Sequence, residues 1–133
     1  MEKHFKNVWL IDDNEIDNFI NKKTIMKCNF AENVTDFRAA LQAEEKINEL
    51  METGDKENFP DLILLDLNMP VYSGLDFLNR CENKLLEMNP ELKLIILTSS
   101  INPNDEYLTS TFKSFKAFLN KPLNAHNLTQ LTL

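Results

Sequence analysis

The chain has few of the residues that build several common kinds of functional site. It contains only two cysteines, two histidines and two glycines among 133 residues. Cys28 and Cys81 form no CxxC pair, so we expect two free thiols in a reducing compartment rather than a zinc site or a disulfide. His4 and His126 lie far apart with no ligand spacing around them, which argues against a histidine metal site and a catalytic histidine.

Long apolar runs and an excess of basic residues are also absent. No secretory signal or membrane-spanning segment is visible, so we expect a cytoplasmic protein with no membrane partner. The net charge of −7 argues against nucleic-acid binding, because a phosphate backbone needs clustered lysine and arginine. With 43% hydrophobic residues and no linker-like tract, residues 1–133 are predicted to form one globular domain.

Short apolar runs alternate with segments of helical spacing along the chain. The predicted strands lie at about residues 6–11, 29–32, 61–65, 92–97 and 116–119. An amphipathic helix is predicted after each of them. This alternation indicates an α/β protein with a (βα)₅ flavodoxin-like fold, in which helices cover both faces of a five-stranded parallel sheet. The expected strand order is 2-1-3-4-5.

Several residues are predicted to begin or end these helices. Thr35 is expected to cap the second helix, whose core stripe would start at Phe37, and Gly54 is expected to end it. Asn102 and Asn124 are expected to cap the fourth and fifth helices. In the first helix the apolar residues with helical spacing are Ile16, Phe19 and Ile20.

Polar residues stand at or just after the ends of four predicted strands. They are Asp12 and Asp13, Asp66, Thr98, and Lys121. In an open parallel sheet, ligands bind outside the carboxyl ends of the strands. The repeated placement of polar side chains there therefore predicts one shared pocket.

The residue types in this pocket indicate metal and phosphoryl chemistry. Asp12, Asp13 and Asp66 would repel one another, and a hard divalent cation such as Mg²⁺ would relieve that repulsion. Lys121 and Thr98 suit the oxygens of a phosphoryl group. Asp66 could then act as a carboxylate nucleophile that forms an aspartyl phosphate.

Four stretches together match a known family. They are LIDDN at residues 10–14, LLDLNMP at 64–70 with SG at 73–74, LTS at 97–99 and FLNKP at 118–122. In this order and spacing, the chain resembles the receiver domain of two-component response regulators over essentially its whole length. It is similar above all to single-domain, chemotaxis-type receivers.

The resemblance implies a role for each matching residue. Asp66 would accept a phosphoryl group from a histidine kinase or a histidine phosphotransfer protein. The metal would be Mg²⁺, with Mn²⁺ as a substitute. Its ligands would come from Asp12, Asp13, Asp66 and the backbone carbonyl of Asn68. The phosphoryl contacts would be Thr98, Lys121 and the backbone of Ser99.

The resemblance also implies a conformational switch. Thr98 would move inward on phosphorylation and Phe118 would rotate behind it, which would remodel the surface of the fourth helix, fifth strand and fifth helix. That surface would bind a downstream protein target or form a dimer. Pro122 would shape the turn after Lys121, where the family often has a cis bond.

The family tunes dephosphorylation at the positions of Asn68 and Ser100. Ser114 and Phe115 stand where the family often has smaller residues, so the output surface is expected to differ. Autocatalytic phosphorylation and dephosphorylation of Asp66 would be the only chemistry, and the protein would not otherwise be an enzyme.

Four alternatives stay open. A phosphatase of the haloacid dehalogenase type is disfavoured because it needs a second aspartate where Asn68 stands. A flavodoxin-like cofactor binder is disfavoured because Asp12 to Glu15 would repel a cofactor phosphate. A phosphorylation-independent interaction module on the same scaffold is the third. The fourth is a receiver fragment of a larger regulator or hybrid kinase.

Overall fold

A computed structural model describes residues 5–99 and 102–131. His4 and Ser100 lie outside the described residues. The strands are β1 (Phe5–Ile11), β2 (Ala31–Phe37), β3 (Leu62–Leu65), β4 (Lys93–Thr98) and β5 (Phe115–Asn120). The helices are α1 (Glu15–Lys27), α2 (Ala40–Thr53), α3 (Gly74–Met88), α4 (Pro103–Ser110) and α5 (Ala125–Thr129).

The strands form one parallel sheet in the order β2-β1-β3-β4-β5. This confirms the predicted (βα)₅ fold and strand order. The crevice at the switch point of this topology lies at the carboxyl ends of β1 and β3, which are neighbours in the sheet. The chain therefore brings residues 12–13 and residue 66 to the same place.

Two apolar clusters cover the two faces of the sheet. Alternate residues of β1 divide between them, with Trp9 and Ile11 on one face and Val8 and Leu10 on the other. The first cluster includes buried residues of α2 and α3, and the second includes buried residues of α1 and α5. All four residues of β3 are buried, as expected for a central parallel strand.

The predicted start of the second helix is wrong. Thr35 lies within β2, opposite Trp9 of β1, and Phe37 ends the strand with its ring 4.8 Å from that of Trp9. Helix α2 begins at Ala40 after a cap residue, Ala39, that makes no side-chain hydrogen bond. Pairing with β1 outweighs the local N-cap preference of Thr35, because a β-branched residue also suits a strand.

The predicted apolar stripe of the first helix is also wrong. Ile16 and Phe19 are 68% and 64% exposed, whereas α1 buries Asn18, Asn21 and Ile25. The Nδ2 of Asn18 donates to the carbonyl of Asp12 at 2.9 Å. The Oδ1 of Asn21 accepts from the backbone of residue 123 at 3.0 Å. These bonds to buried backbone groups turn the amide face of α1 inward.

The other predicted helix ends are confirmed. Gly54 follows α2 with a φ of 68°, which glycine adopts without steric cost. Asn102 accepts from the N–H of residue 104, and Asn124 accepts from the N–H of Asn127. Among residues 5–99 and 102–131, no helix is long and apolar enough to cross a membrane.

Candidate functional site

Three carboxylates meet at the carboxyl ends of β1 and β3. One oxygen from each of Asp12, Asp13 and Asp66 lies within 4.8 Å of the others. Asp12 and Asp66 are only 4% and 5% exposed, while Asp13 faces solvent. Two carboxylates of the cluster are therefore buried and the third is exposed, so a ligand can reach the cluster from solvent.

Backbone N–H groups hold the two buried carboxylates in place. The Oδ1 of Asp12 accepts from the N–H of Asn14 at 2.9 Å. The Oδ1 of Asp66 accepts from the N–H of Asn68 at 3.1 Å. The backbone of Asp66 is itself joined to β1, since its N–H donates to the carbonyl of Ile11 at 2.9 Å. Each acid thus has one oxygen oriented by its own loop.

Lys121 supplies a cation to the same cluster. Its Nζ lies 2.6 Å from the Oδ2 of Asp12 and 3.4 Å from the Oδ2 of Asp66. It also lies 3.1 Å from the Oδ2 of Asp17, on the first turn of α1. The N–H of Lys121 donates to the carbonyl of Thr98 at 2.8 Å, and a cis peptide bond joins Lys121 to Pro122.

Burial and charge oppose each other in this cluster. Burial, together with the charge of Asp66, raises the pKa of the Asp12 carboxyl to about 6, although its hydrogen bonds with Lys121 and Asn14 lower it. Burial lowers the pKa of Lys121, but its hydrogen bonds and charge pairs with Asp12, Asp17 and Asp66 outweigh this and hold the pKa above its usual range. The lysine therefore stays charged and neutralises part of the acidic cluster.

Thr98 and Asn68 border the cluster on the side of β4. Thr98 ends β4 and is 2% exposed. The Nδ2 of Asn68 lies 3.4 Å from the Oγ1 of Thr98. Ser99 follows at the surface. The structure thus gathers Asp12, Asp13, Asp66, Thr98 and Lys121, the residues predicted to share one pocket.

A family model described as the response regulator receiver domain matches residues 8–132. The chain belongs to this family. No curated protein sequence matches the receiver. Its resemblance to solved structures covers nearly the whole chain.

Solved structures of response regulators and of a kinase receiver domain share its fold. A two-component response regulator from Cytophaga hutchinsonii is 28% identical, with 95% of each chain covered and a TM-score of 0.81. The phosphorylated cyanobacterial phytochrome response regulator RcpA is 25% identical, with 94% of this chain and 86% of that chain covered and a TM-score of 0.70. The receiver domain of the histidine kinase CKI1 from Arabidopsis thaliana, complexed with Mg²⁺ and BeF₃⁻, is 20% identical, with 93% and 86% covered and a TM-score of 0.75.

Two further predicted residues of the receiver lie just beyond the cluster. Phe118 of β5 is half-buried, packs against the α2 and α3 cluster and has its ring 5.4 Å from that of Phe115. Pro122 is exposed in the turn after β5. Ser114, where the family often has a smaller residue, is buried and donates through its N–H and Oγ to Glu82 of α3 at 3.0 and 2.8 Å.

Sequence reasoning missed two neighbours of the cluster in this receiver. Asn14 caps α1, which its position before Glu15 could have indicated. Asp17 is not among the residues that the sequence predicts for the pocket. Its pairing with Lys121 spans 104 residues and accompanies the contact of α1 with the turn after β5, where Asn21 accepts from the N–H of residue 123, so no local sequence pattern predicts it.

The donor set of the receiver fits a hard divalent cation. All three clustered side chains offer carboxylate oxygen, and no thiol or imidazole of residues 5–99 and 102–131 belongs to the cluster. Carboxylate oxygens are the ligands that suit Mg²⁺ and similar hard ions, whereas thiol and imidazole ligands suit zinc and copper. Asp12, Asp13 and Asp66 are therefore the residues that would hold such an ion.

Proposed function

We propose that this receiver accepts a phosphoryl group on Asp66 in a reaction that depends on Mg²⁺. The observation that supports it is the surroundings of the Asp66 carboxylate. It is buried, it lies within 4.8 Å of two other carboxylates, and its Oδ2 is 3.4 Å from the ammonium of Lys121. Both a metal ion and a fixed cation would stand beside a phosphoryl group formed there.

The transfer exchanges one bond to phosphorus for another. A carboxylate oxygen of Asp66 attacks the phosphorus of a phosphohistidine in a kinase or phosphotransfer protein. The new oxygen–phosphorus bond forms as the nitrogen–phosphorus bond breaks, and the leaving imidazole takes up a proton. Asp12, Asp13, Asp66 and the carbonyl of Asn68 would hold a divalent cation, which would stabilise the negative charge of the transferring group.

The cation is proposed to be Mg²⁺, with Mn²⁺ as a substitute because it also accepts oxygen ligands. Support comes from the CKI1 receiver domain, whose structure is a complex with Mg²⁺ and BeF₃⁻. This chain shares the fold, and its acidic cluster would provide the ligands. The protein would therefore phosphorylate and dephosphorylate itself at Asp66 without turning over another substrate.

The phosphorylated state is proposed to differ at the surface of α4, β5 and α5. Thr98, Lys121 and the backbone of Ser99 would contact the phosphoryl oxygens. Phe118, half-buried beside Phe115, would rotate inward behind Thr98. Such a switch is a shift between two packings, driven by the contacts that the phosphoryl group adds.

The output is proposed to be protein binding in the cytoplasm. A downstream protein, or a second copy of the chain, would recognise the α4-β5-α5 surface. The net charge of −7 disfavours nucleic acid as the partner. A phosphorylation-independent interaction module is the alternative, and the following experiment separates the two.

The test is intact-mass analysis after incubation with acetyl phosphate, with and without Mg²⁺. Wild type is expected to gain one phosphoryl group only with Mg²⁺, and Asp66→Asn is expected to gain none. Asp36→Asn is the matched control, because Asp36 is an exposed acid whose ion pair with Lys22 is long at 3.7 Å. No mass gain in wild type, and no binding of beryllofluoride, would favour the phosphorylation-independent module.

A further inference from the structure

Lys121 forms ion pairs with three carboxylates, and the third of them, Asp17, has no role in the proposed phosphoryl transfer. Its Oδ2 lies 3.1 Å from the Nζ of Lys121. The Asp17 side chain is 27% exposed and that of Lys121 only 10%, so the pair is partly shielded from solvent. Asp17 does not belong to the cluster of Asp12, Asp13 and Asp66 in the part of the chain that the structure describes.

A closed ring of hydrogen bonds and ion pairs fixes Asp17 in this position. The Oδ1 of Asp12 accepts from the N–H of Asn14, and the Oδ1 of Asn14 accepts from the N–H of Asp17 at 3.0 Å. Lys121 then donates to Asp17 and contacts the Oδ2 of Asp12, which completes the ring. The first turn of α1 is thereby held against the acidic cluster.

Of the three carboxylates that pair with Lys121, Asp12 and Asp66 would also bind the cation, whereas Asp17 would not. A divalent cation would draw Asp12 and Asp66 toward itself, and both of these acids now pair with the ammonium. The ammonium and the cation would then compete for the same oxygens and repel each other. Asp17, outside the cluster, is the carboxylate that could keep the ammonium when the cation binds.

We propose that Asp17 is a positioning residue that holds Lys121 aside and so lets the acidic cluster bind its divalent cation. This inference rests on the proposed function, since it concerns the same metal site. Without the Asp17 charge, Lys121 would stay on Asp12 and Asp66 and would oppose the cation. The effect of Asp17 on cation affinity would therefore pass through Lys121.

The test is a double-mutant cycle read by calorimetric titration with Mg²⁺. Asp17→Asn is expected to weaken Mg²⁺ binding by about two- to fivefold, the range of a partly exposed ion pair. Lys121→Met is expected to strengthen it, because a competing cation is removed. In the Lys121→Met background, Asp17→Asn is expected to change the affinity less than in wild type. An equal or larger loss in that background would overturn the inference, because Asp17 would then act only through its own charge.

Two further measurements keep the test independent of phosphorylation. In wild type with Mg²⁺, the ¹⁵Nζ ammonium signal of Lys121 is expected to stay visible by NMR, and in Asp17→Asn with Mg²⁺ it is expected to be lost to exchange with solvent. Glu15→Gln is the control, since this acid lies in the same turn but pairs loosely with Arg38 at 3.6 Å. Thermal unfolding of each variant shows whether it is folded. Asp17→Ser is a second variant that also removes the Asp17 charge.

The outcomes also separate this inference from the proposed function. If wild type binds no Mg²⁺, the proposed metal-dependent transfer fails together with the inference. If wild type binds Mg²⁺ and accepts a phosphoryl group but the cycle shows no coupling, only the role of Asp17 fails.

Discussion

Gly74 lies directly against the backbone of Asp66. A Cβ placed on Gly74 would stand 2.6 Å from the carbonyl oxygen of Asp66 and 2.8 Å from the Cα of Leu67. The N–H of Gly74 also donates to the carbonyl of Leu67 at 3.0 Å, which holds the start of α3 to the loop after β3. The position of the buried Asp66 carboxylate therefore depends on the absence of a side chain at residue 74.

We accordingly predict that Gly74→Ala disturbs the acidic site. The added methyl group must push the backbone of Asp66 away, so Mg²⁺ affinity and phosphorylation by acetyl phosphate are both expected to fall at least about tenfold. Calorimetry and intact-mass analysis measure the two effects. Gly54→Ala is the control.

The Gly54→Ala control distinguishes a loss of Mg²⁺ binding at the acidic site from a general loss of stability. Gly54 has a φ of 68° and open space around it, so alanine there is expected to cost about 1 kcal/mol of stability. It should leave Mg²⁺ binding unchanged, because Gly54 ends α2 away from the acids. Normal Mg²⁺ affinity in Gly74→Ala would contradict the role assigned to the Gly74–Asp66 contact.

A buried acid, Glu44, joins α2 to α3 and to the loop after β3. It accepts from the hydroxyl of Tyr72 at 2.8 Å and from Arg80 at 3.0 and 3.2 Å, and it is 5% exposed. We predict that Glu44→Gln lowers the free energy of unfolding by about 1–2 kcal/mol, because hydrogen bonds to a charged group are lost. Urea denaturation measures this, with the exposed neighbour Glu45 changed to Gln as the control.

The same acid predicts a pH dependence of stability. Burial raises the pKa of Glu44, but hydrogen bonds from Tyr72 and Arg80 and the charges of Arg80 and Lys84 outweigh it and hold the pKa below its usual range. The folded protein therefore binds this proton less readily than the unfolded chain. The stabilisation is present above the unfolded pKa, about 4.3, and is lost as the pH falls through the lower folded value.

Urea denaturation of wild type and Glu44→Gln across this range measures the effect. The difference in unfolding free energy between the two proteins is expected to be full at pH 7 and to shrink as the pH falls below about 4. The nearby thiol of Cys81 has its pKa raised to about 11 by burial, so it stays neutral throughout. A difference that is constant with pH would contradict the ionic role of Glu44.

Helix α1 buries two asparagines and exposes apolar residues, so we predict that replacing a buried asparagine destabilises the protein more than replacing an exposed phenylalanine. Asn21→Ala is expected to cost about 1–3 kcal/mol, because the buried N–H of residue 123 loses its acceptor. Phe19→Ser is expected to change stability by less than about 0.5 kcal/mol, because this ring is 64% exposed. Thermal or urea denaturation of both variants gives the comparison. A larger loss for the phenylalanine would mean that α1 packs on the face first expected from its apolar spacing.

These cases show where sequence patterns sufficed and where they did not. Four of the five strands and four of the five helices followed from apolar runs and cap residues, because a fully buried strand such as β3 is apolar throughout. The second strand was predicted at about residues 29–32 but spans Ala31–Phe37, because an edge strand with mostly polar residues has no apolar run to mark it. Thr35 was misassigned because a β-branched hydroxyl residue suits both a cap and a strand. The neighbour in space, Trp9, decides between them.

The face of α1 was misjudged for a related reason. Helical spacing identifies which apolar residues share a side, but it does not show where buried backbone groups need hydrogen bonds. Asn18 and Asn21 meet that need at Asp12 and at residue 123. Ile16 and Phe19 are left outside.

The sequence alone determined the family, the order of the strands and the acids that gather after them. It could do so because each acid, together with Thr98 and Lys121, stands at or just beyond a strand end, and parallel strands bring those ends to one edge. Only the tertiary structure decided how Lys121 divides its charge among Asp12, Asp17 and Asp66 and why Gly74 must lack a side chain. Both depend on distances of a few ångströms between segments far apart in the chain, which local composition does not encode.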